Sequence, residues 1–199
     1  MSKSMRKKSA PQRTNNNGFI RIISGQFRGR KLPVNDLEGL RPTTDRVKET
    51  VFNWLMQDTR GANVLDCFAG SGGLGFECLS RFAAHATFIE LNKKAAEQLK
   101  NNANTLKLDN TNIINTSAIE HLAIENQGDK FNLVFVDPPF RKGLAEPSCH
   151  LLEQNDWLAD EALIYVEVEK ECTFDAPENW QVLKEKQAGQ VLCRLYQRN

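Results

Sequence analysis

The 199-residue chain has no apolar run near the ~20 residues that a membrane-spanning helix needs. Its five cysteines, Cys67, Cys78, Cys149, Cys172 and Cys193, include no Cys-x-x-Cys pair. An odd, unpaired set argues against a disulfide framework or a zinc knuckle, and for free thiols in a reducing compartment. A cytoplasmic location is therefore expected. The three histidines, His85, His121 and His150, are scattered without metal-ligand spacing, so no metal site is expected. No 7–15-residue apolar segment follows the basic N-terminus, so no secretory signal is expected. No internal repeat is present. Residues 1–35 hold no Asp or Glu.

The remaining composition is that of a soluble globular chain, 40% apolar and 26% charged. The length suits one domain with a short extension, enough to bury about 70% of the unfolded surface. The net charge of +1 hides an asymmetry. Nine Lys/Arg lie in residues 1–35, whereas the rest of the chain holds 17 basic and 25 acidic groups. A basic arm on an acidic body points to a polyanionic partner reached through the N-terminus.

Three regions follow. Residues 1–17 (MSKSMRKKSAPQRTNNN) are polar and basic, without aromatics, and are expected to be a disordered tail. Residues 18–57 form an extension. Phe19 to Val34 reads as a hairpin, with two β-prone runs flanking Ser24-Gly25-Gln26 and decorated by Arg21, Arg28, Arg30 and Lys31. Thr44 or Asp45 can cap a helix running to about Gln57, with Val47, Val51, Trp54 and Leu55 on its apolar face. In residues 58–199, short apolar strands alternate with amphipathic helices. The strands are expected at 63–67, 86–91, 112–116, 131–137 and 162–167, and the helices at 73–82, 92–106, 118–124 and 145–154. This alternation predicts an α/β fold, a doubly wound and mostly parallel sheet covered on both faces. Residues 181–186 and 191–197 are too close for a crossover helix. They must close a seven-stranded sheet as an antiparallel hairpin.

Two motifs carry chemistry. Strand 63–66 runs into Cys67-Phe68-Ala69-Gly70-Ser71-Gly72-Gly73-Leu74-Gly75, in which Gly70, Gly72 and Gly75 satisfy G-x-G-x-x-G between a strand and a helix. Glu90 closes the second strand, where a carboxylate can accept from both hydroxyls of a ribose. An adenosine-bearing cofactor fits. Asp66, just before the glycines, is a poor neighbour for a diphosphate but suits a cation. That favours S-adenosylmethionine, with its ammonium and sulfonium, over a nicotinamide dinucleotide.

The second motif is the turn Asp137-Pro138-Pro139-Phe140 after a buried strand. Both prolines rigidify it. Asp137 offers a carboxylate, Pro138 a backbone carbonyl and Phe140 an aromatic face. Two acceptors can bind the hydrogens of an exocyclic amine on a nucleobase and favour its pyramidal form, while the aromatic ring stacks on the extruded base.

With these motifs the chain resembles the bacterial small-subunit rRNA guanine-N2 methyltransferase family over roughly Ile20 to Arg198. The landmarks are Arg21-Ile22-Ile23-Ser24-Gly25, Arg28-Gly29-Arg30-Lys31-Leu32, Arg41-Pro42-Thr43-Thr44-Asp45-Arg46 and Phe52-Asn53. They continue with the glycine loop, Glu90, Asp137-Pro138-Pro139-Phe140 and Tyr165-Val166-Glu167. The resemblance implies a Rossmann-like class I methyltransferase fold and transfer of a methyl group from S-adenosylmethionine to a guanine 2-amino group of 16S rRNA. The implied partner is a partly or fully assembled small ribosomal subunit, met by a monomer. It further implies that Asp66, Phe68, Ala69, Gly70, Ser71, Gly72, Leu74 and Gly75 hold the methionine part, and that Glu90 and Leu91 hold the ribose. Ser117 and Ala118 would flank the adenine, and Asp137 to Phe140 would hold the guanine. Arg21, Arg28, Arg30, Lys31, Arg41 and Arg46 form the expected RNA-binding set. Phe82 stands where the family tends to have Gly, which puts that helix's cap in question.

Other readings stay open on the residues alone. The same turn serves N6-adenine or N4-cytosine methylation of DNA or RNA. A non-catalytic RNA-binding assembly factor is a different class, and would be expected to have lost Asp66 or Asp137. Cys67 and Trp54, Trp157 and Trp180 read as core residues. The roles of Glu167 and Glu169 are left undecided.

Overall fold

A computed structural model of the chain describes residues 18–35 and 44–199. In chain order the elements are β1 (Gly18–Arg21), β2 (Lys31–Val34), α1 (Asp45–Trp54), β3 (Asn63–Asp66), α2 (Gly73–Ser80), β4 (His85–Ile89) and α3 (Lys93–Thr105). They continue with β5 (Thr111–Ile114), α4 (Ala118–Leu122), β6 (Phe131–Val136), α5 (Ala145–Gln154), β7 (Leu158–Glu169), β8 (Trp180–Ala188) and β9 (Val191–Arg198).

The strands from β3 onward form one sheet in the order β5-β4-β3-β6-β7-β9-β8. The five strands β5, β4, β3, β6 and β7 pair in parallel, and β9 runs antiparallel between β7 and β8. This is the expected doubly wound sheet with its antiparallel end. Alternation along each buried strand feeds two cores. Leu133 and Phe135 enter the core shared with the β1–β2 hairpin, α1, α2 and α3. Val134 and Val136 enter the core under α4 and α5. Because β3 lies between β4 and β6, the chain changes direction across the sheet at β3. The carboxyl ends of β3 and β6 there flank a crevice suited to a ligand.

Two local features depart from the sequence reading, and a third is decided between its alternatives. The hairpin strands stop at Arg21 and resume at Lys31, so its connection is a wide loop over 22–30 and not a tight turn at 24–26. Arg28 and Arg30 consequently lie on that loop. Of the two expected caps of α1, Thr44 is the one that accepts Val47 N–H, and Asp45 turns to Arg21 at 2.6 Å. Strand β7 begins at Leu158, earlier than expected, because its pairing with β6 shifts register between Phe131 and Leu133. Glu161, at φ 56°, makes that break. Helix α2 ends as a glycine would end it: Phe82 takes φ 69°, and the Arg60 guanidinium lies 4.7 Å over its ring. A non-glycine residue in that region costs about 1–2 kcal/mol, and the stacked cation covers the exposed ring.

Candidate active site

The crevice begins at Asp66, which ends β3 and is buried. Burial pushes its carboxyl up to about 7, the charge of Glu90 adds to the rise, and backbone N–H groups of Gly75 and Phe68 oppose it. The loop after it is drawn tight by its own amides. Cys67 N–H donates to Phe135 O at 3.0 Å, Ala69 N–H to Ile89 O at 2.9 Å and Gly72 N–H to Ala69 O at 2.7 Å. Gly70 and Gly72 have positive φ. Gly75 serves a different need. A Cβ there would lie 2.2 Å from the Phe88 ring, so only glycine lets α2 pack this closely on β4.

Glu90 follows β4 and faces the same loop. One of its oxygens accepts Gly70 N–H at 2.7 Å and the other Asn92 N–H at 2.6 Å. Each oxygen keeps a free lone pair. Asn115 ties this strand end to its neighbour, donating to the carbonyls of Glu90 and Leu91 at 2.8 and 2.9 Å. Nothing in the sequence singled out Asn115, because its partners lie on another strand. Leu91 is 73% exposed. Ser117 caps α4 through Glu120 N–H, and Ala118 is buried behind it. Asn92 caps α3 by accepting from Lys94 and Ala95 N–H.

The Asp137-Pro138-Pro139-Phe140 turn leaves β6 beside Asp66. Pro138 is buried, Asp137 is half-buried, and Pro139 and Phe140 are exposed. Burial holds the Asp137 carboxyl well above the usual carboxylate range, and the charges of Glu167 and Asp66 add to that. Glu167 is itself buried on β7. Its carboxyl is raised by burial, against which Tyr165 O–H donates to it at 2.9 Å. Glu169, two residues on, accepts Arg141 N–H and so anchors the chain just past the turn. The two glutamates thus have different tasks, which the sequence could not separate. A cavity of about 200 Å³ adjoins the turn, with Pro138, Pro139, Leu144, Val168, Glu169 and Cys172 among its walls.

The donor set tests which cofactor fits. Two carboxylates, Asp66 and Glu90, face the glycine loop, an arrangement hostile to a diphosphate and favourable to a cation carrying a ribose. Among the described residues no three His, Cys, Asp or Glu are grouped to hold a metal ion. Cys67 is buried, with its thiol pushed up by burial and by Asp66, as a core side chain. Trp157 and Trp180 are buried in the core.

The basic residues fall in two groups. Arg21 is paired with Asp45. Arg28, Arg30 and Lys31 are exposed on the hairpin, and Arg46 is exposed on the first turn of α1. Arg41 and the tail 1–17 lie outside the described residues.

Comparison with known proteins gives a consistent result. The family model described as "Conserved hypothetical protein 95" matches residues 20–197. Ribosomal RNA small subunit methyltransferase D of Escherichia coli (strain K12) is 58% identical over 182 residues, covering 91% of each chain. Its namesake from Haemophilus influenzae is 53% identical over 188 residues, covering 94% of this chain and 97% of the relative. The solved structure of yhhF from Escherichia coli is 55% identical with a TM-score of 0.85, over 92% of this chain and 99% of the other. The chain therefore belongs to the family that this model describes, together with the ribosomal RNA small subunit methyltransferases D.

Proposed function

We propose that the protein transfers a methyl group from S-adenosylmethionine to the exocyclic 2-amino group of a guanine in 16S rRNA within the small ribosomal subunit. The observation that carries the reading is the meeting of Asp66 and Asp137 at adjacent strand ends, one carboxylate suited to a cationic donor and the other to an amine. The names of the E. coli and H. influenzae relatives support rRNA of the small subunit as the substrate.

When bound, S-adenosylmethionine supplies an electrophilic methyl group on a sulfonium. Asp66 would hold the cationic amino-acid end, with Phe68, Ala69 and the Gly70–Gly75 loop, Ser71 and Leu74 included, closing over it. Glu90 binds the ribose hydroxyls with its remaining lone pairs, next to Leu91. The Ser117 hydroxyl is engaged as a helix cap, so Ser117 and Ala118 meet the adenine through backbone and packing.

At the turn, Asp137 and the Pro138 carbonyl each accept one hydrogen of the guanine amine and localise its lone pair toward the methyl carbon. Phe140, 40% exposed, is available to stack on the flipped base. Methyl transfer would leave a surplus proton on the amine nitrogen. In its ionised form Asp137, with its raised proton affinity, takes the surplus proton from nitrogen and passes it to water on its open side.

The exposed cations Arg28, Arg30, Lys31 and Arg46, with Arg41, bind rRNA phosphates, and Arg21 contributes less because Asp45 neutralises it. The test is incubation with labelled S-adenosylmethionine and undermethylated small subunits, followed by nucleoside analysis. N2-methylguanosine is expected. Label in N6-methyladenosine or N4-methylcytidine refutes the guanine assignment, and absence of label refutes the activity.

A further inference from the structure

Glu77 is fully buried on α2 and takes no part in the chemistry above. Its carboxylate reaches across 54 residues of sequence to the N-terminal hairpin. One oxygen accepts Ile23 N–H at 2.9 Å, and the other accepts Ser24 N–H at 3.0 Å and the Arg81 Nε–H at 3.0 Å. Lys48 Nζ lies 3.9 Å from it and donates to Arg21 O, which joins α1 to the same node. One turn further, Ser80 completes a lock. Its hydroxyl donates to Ser24 O at 2.5 Å and accepts Phe27 N–H at 3.0 Å, and its carbonyl accepts Gln26 N–H at 2.8 Å. Gly25 has φ +80°, and a Cβ there would lie 1.9 Å from Ser80 O, so the loop backbone rests directly on the helix end.

The carbonyl of Ser80, among those that a helix end leaves without intrahelical partners, is thus satisfied by the hairpin loop, and Gln26 Nε2 adds a bond to Leu79 O at 3.2 Å. The hairpin's other end is tied down too. Asn35 donates to Lys94 O at 2.9 Å, and Pro33 to Asn35 line a small crevice with Gly70 and Ser71. Helix α2 starts at the glycine loop and is about 12 Å long at 1.5 Å per residue. The loop carrying Arg28 and Arg30 is fastened to one end of it, and the cofactor site to the other. Packing alone gives no reason for a buried acid, which is costly unless fully paired. Here it is paired with two successive amides of the very loop that projects the arginines.

We propose that Glu77 is a positioning residue for the RNA: together with Ser80 it locks the loop bearing Arg28 and Arg30 to the helix that begins at the cofactor loop, so that phosphate contacts and methyl donor share one rigid frame. The inference rests on the reading of Arg28 and Arg30 as rRNA contacts. Arginines held by the fold lose less freedom on binding than arginines on a loose loop.

The test measures binding of the full-length protein to undermethylated small subunits at several salt concentrations, alongside calorimetry with S-adenosylmethionine and thermal unfolding. Glu77→Gln places an amide donor against a backbone N–H. Gly25→Ala and Ser80→Ala reach the same lock without touching the buried charge, so a folding failure of Glu77→Gln leaves the question answerable. Gly25→Ala is expected to weaken subunit binding at least about ten-fold, with S-adenosylmethionine affinity within about two-fold. The slope of log affinity against log salt should shrink by about 1.4–1.8, since two phosphate contacts at about 0.7–0.9 each are lost. A merely less stable protein keeps its slope. In an Arg28→Ala/Arg30→Ala background, Gly25→Ala should cost less than about two-fold more, because the two changes remove one interaction. Unchanged affinity and slope, or full additivity with the arginine pair, overturns the inference. Wild-type protein that binds subunits yet methylates nothing overturns the proposed function instead, with the lock still measured by binding.

Discussion

Asp137 and Glu167 stand side by side at the carboxyl edge of the sheet, one residue beyond the register pair Val136 and Val166 of β6 and β7. The charge of Glu167 helps to hold the Asp137 proton. Two acids thus meet where the proposed reaction binds its amine.

Removing the Glu167 charge lowers the proton affinity of Asp137. In the Glu167→Gln variant the ascending limb of the methylation rate against pH is expected to move to lower pH. Single-turnover rates across pH 5–9 check this. A limb that stays in place while the rate alone falls shows that Glu167 does not tune Asp137.

Asp137→Ala removes a hydrogen bond that strengthens in the transition state. Such losses cost about 2.7–4 kcal/mol, or roughly 100–1000-fold in rate. S-adenosylmethionine affinity should stay within a few-fold. Asp137→Asn should be milder, because an amide oxygen still accepts. Retention of half the wild-type rate by the alanine variant means that Asp137 does not orient the amine.

Asp66 sets a pH dependence of both stability and cofactor binding. The unfolded chain releases this proton near pH 4, the folded protein near 7. Between those values the fold holds a proton that the unfolded chain has lost, so stability falls as pH rises through the window, by up to about 4 kcal/mol. Asp137 and Glu167, also raised, act in the same direction. Asp45 and Glu153 are lowered, and their contribution is lost only in more acidic solution. Urea unfolding of the cofactor-free protein should therefore give a higher midpoint at pH 5 than at pH 8, with a smaller difference in Asp66→Asn. Conversely, S-adenosylmethionine should bind more tightly at pH 8 than at pH 6 and release a proton on binding. Calorimetry in buffers of different ionisation enthalpy measures that proton.

Charge reversal separates the hairpin from the tail. Arg28→Glu, Arg30→Glu and Lys31→Glu together are expected to abolish methylation of subunits without changing S-adenosylmethionine affinity. Deletion of residues 1–17 should reduce the salt slope and leave activity detectable at low salt. Loss of activity on tail deletion, with the reversals harmless, moves the RNA surface to the tail.

Much of the site is legible in the sequence because its signals are local. The glycines follow Asp66 within nine residues, two prolines mark the end of β6, and α1, α3 and α4 carry side-chain caps at Thr44, Asn92 and Ser117. The antiparallel hairpin at the end of the sheet follows as well, since a crossover needs a helix and residues 187–190 leave no space for one, whereas the strand order does not. The partnership of Asp137 with Glu167 has no such signature, because it depends on the register between two strands thirty residues apart. The same holds for the wide 22–30 loop. Its two β-prone flanks predict a tight hairpin, yet the backbone amides of Ile23, Ser24 and Gln26 bind Glu77 and Ser80 on α2 instead of pairing across the turn. A buried carboxylate that can satisfy two amides outweighs a local turn preference worth only a fraction of that energy. Only the assembled tertiary structure brings that carboxylate to them.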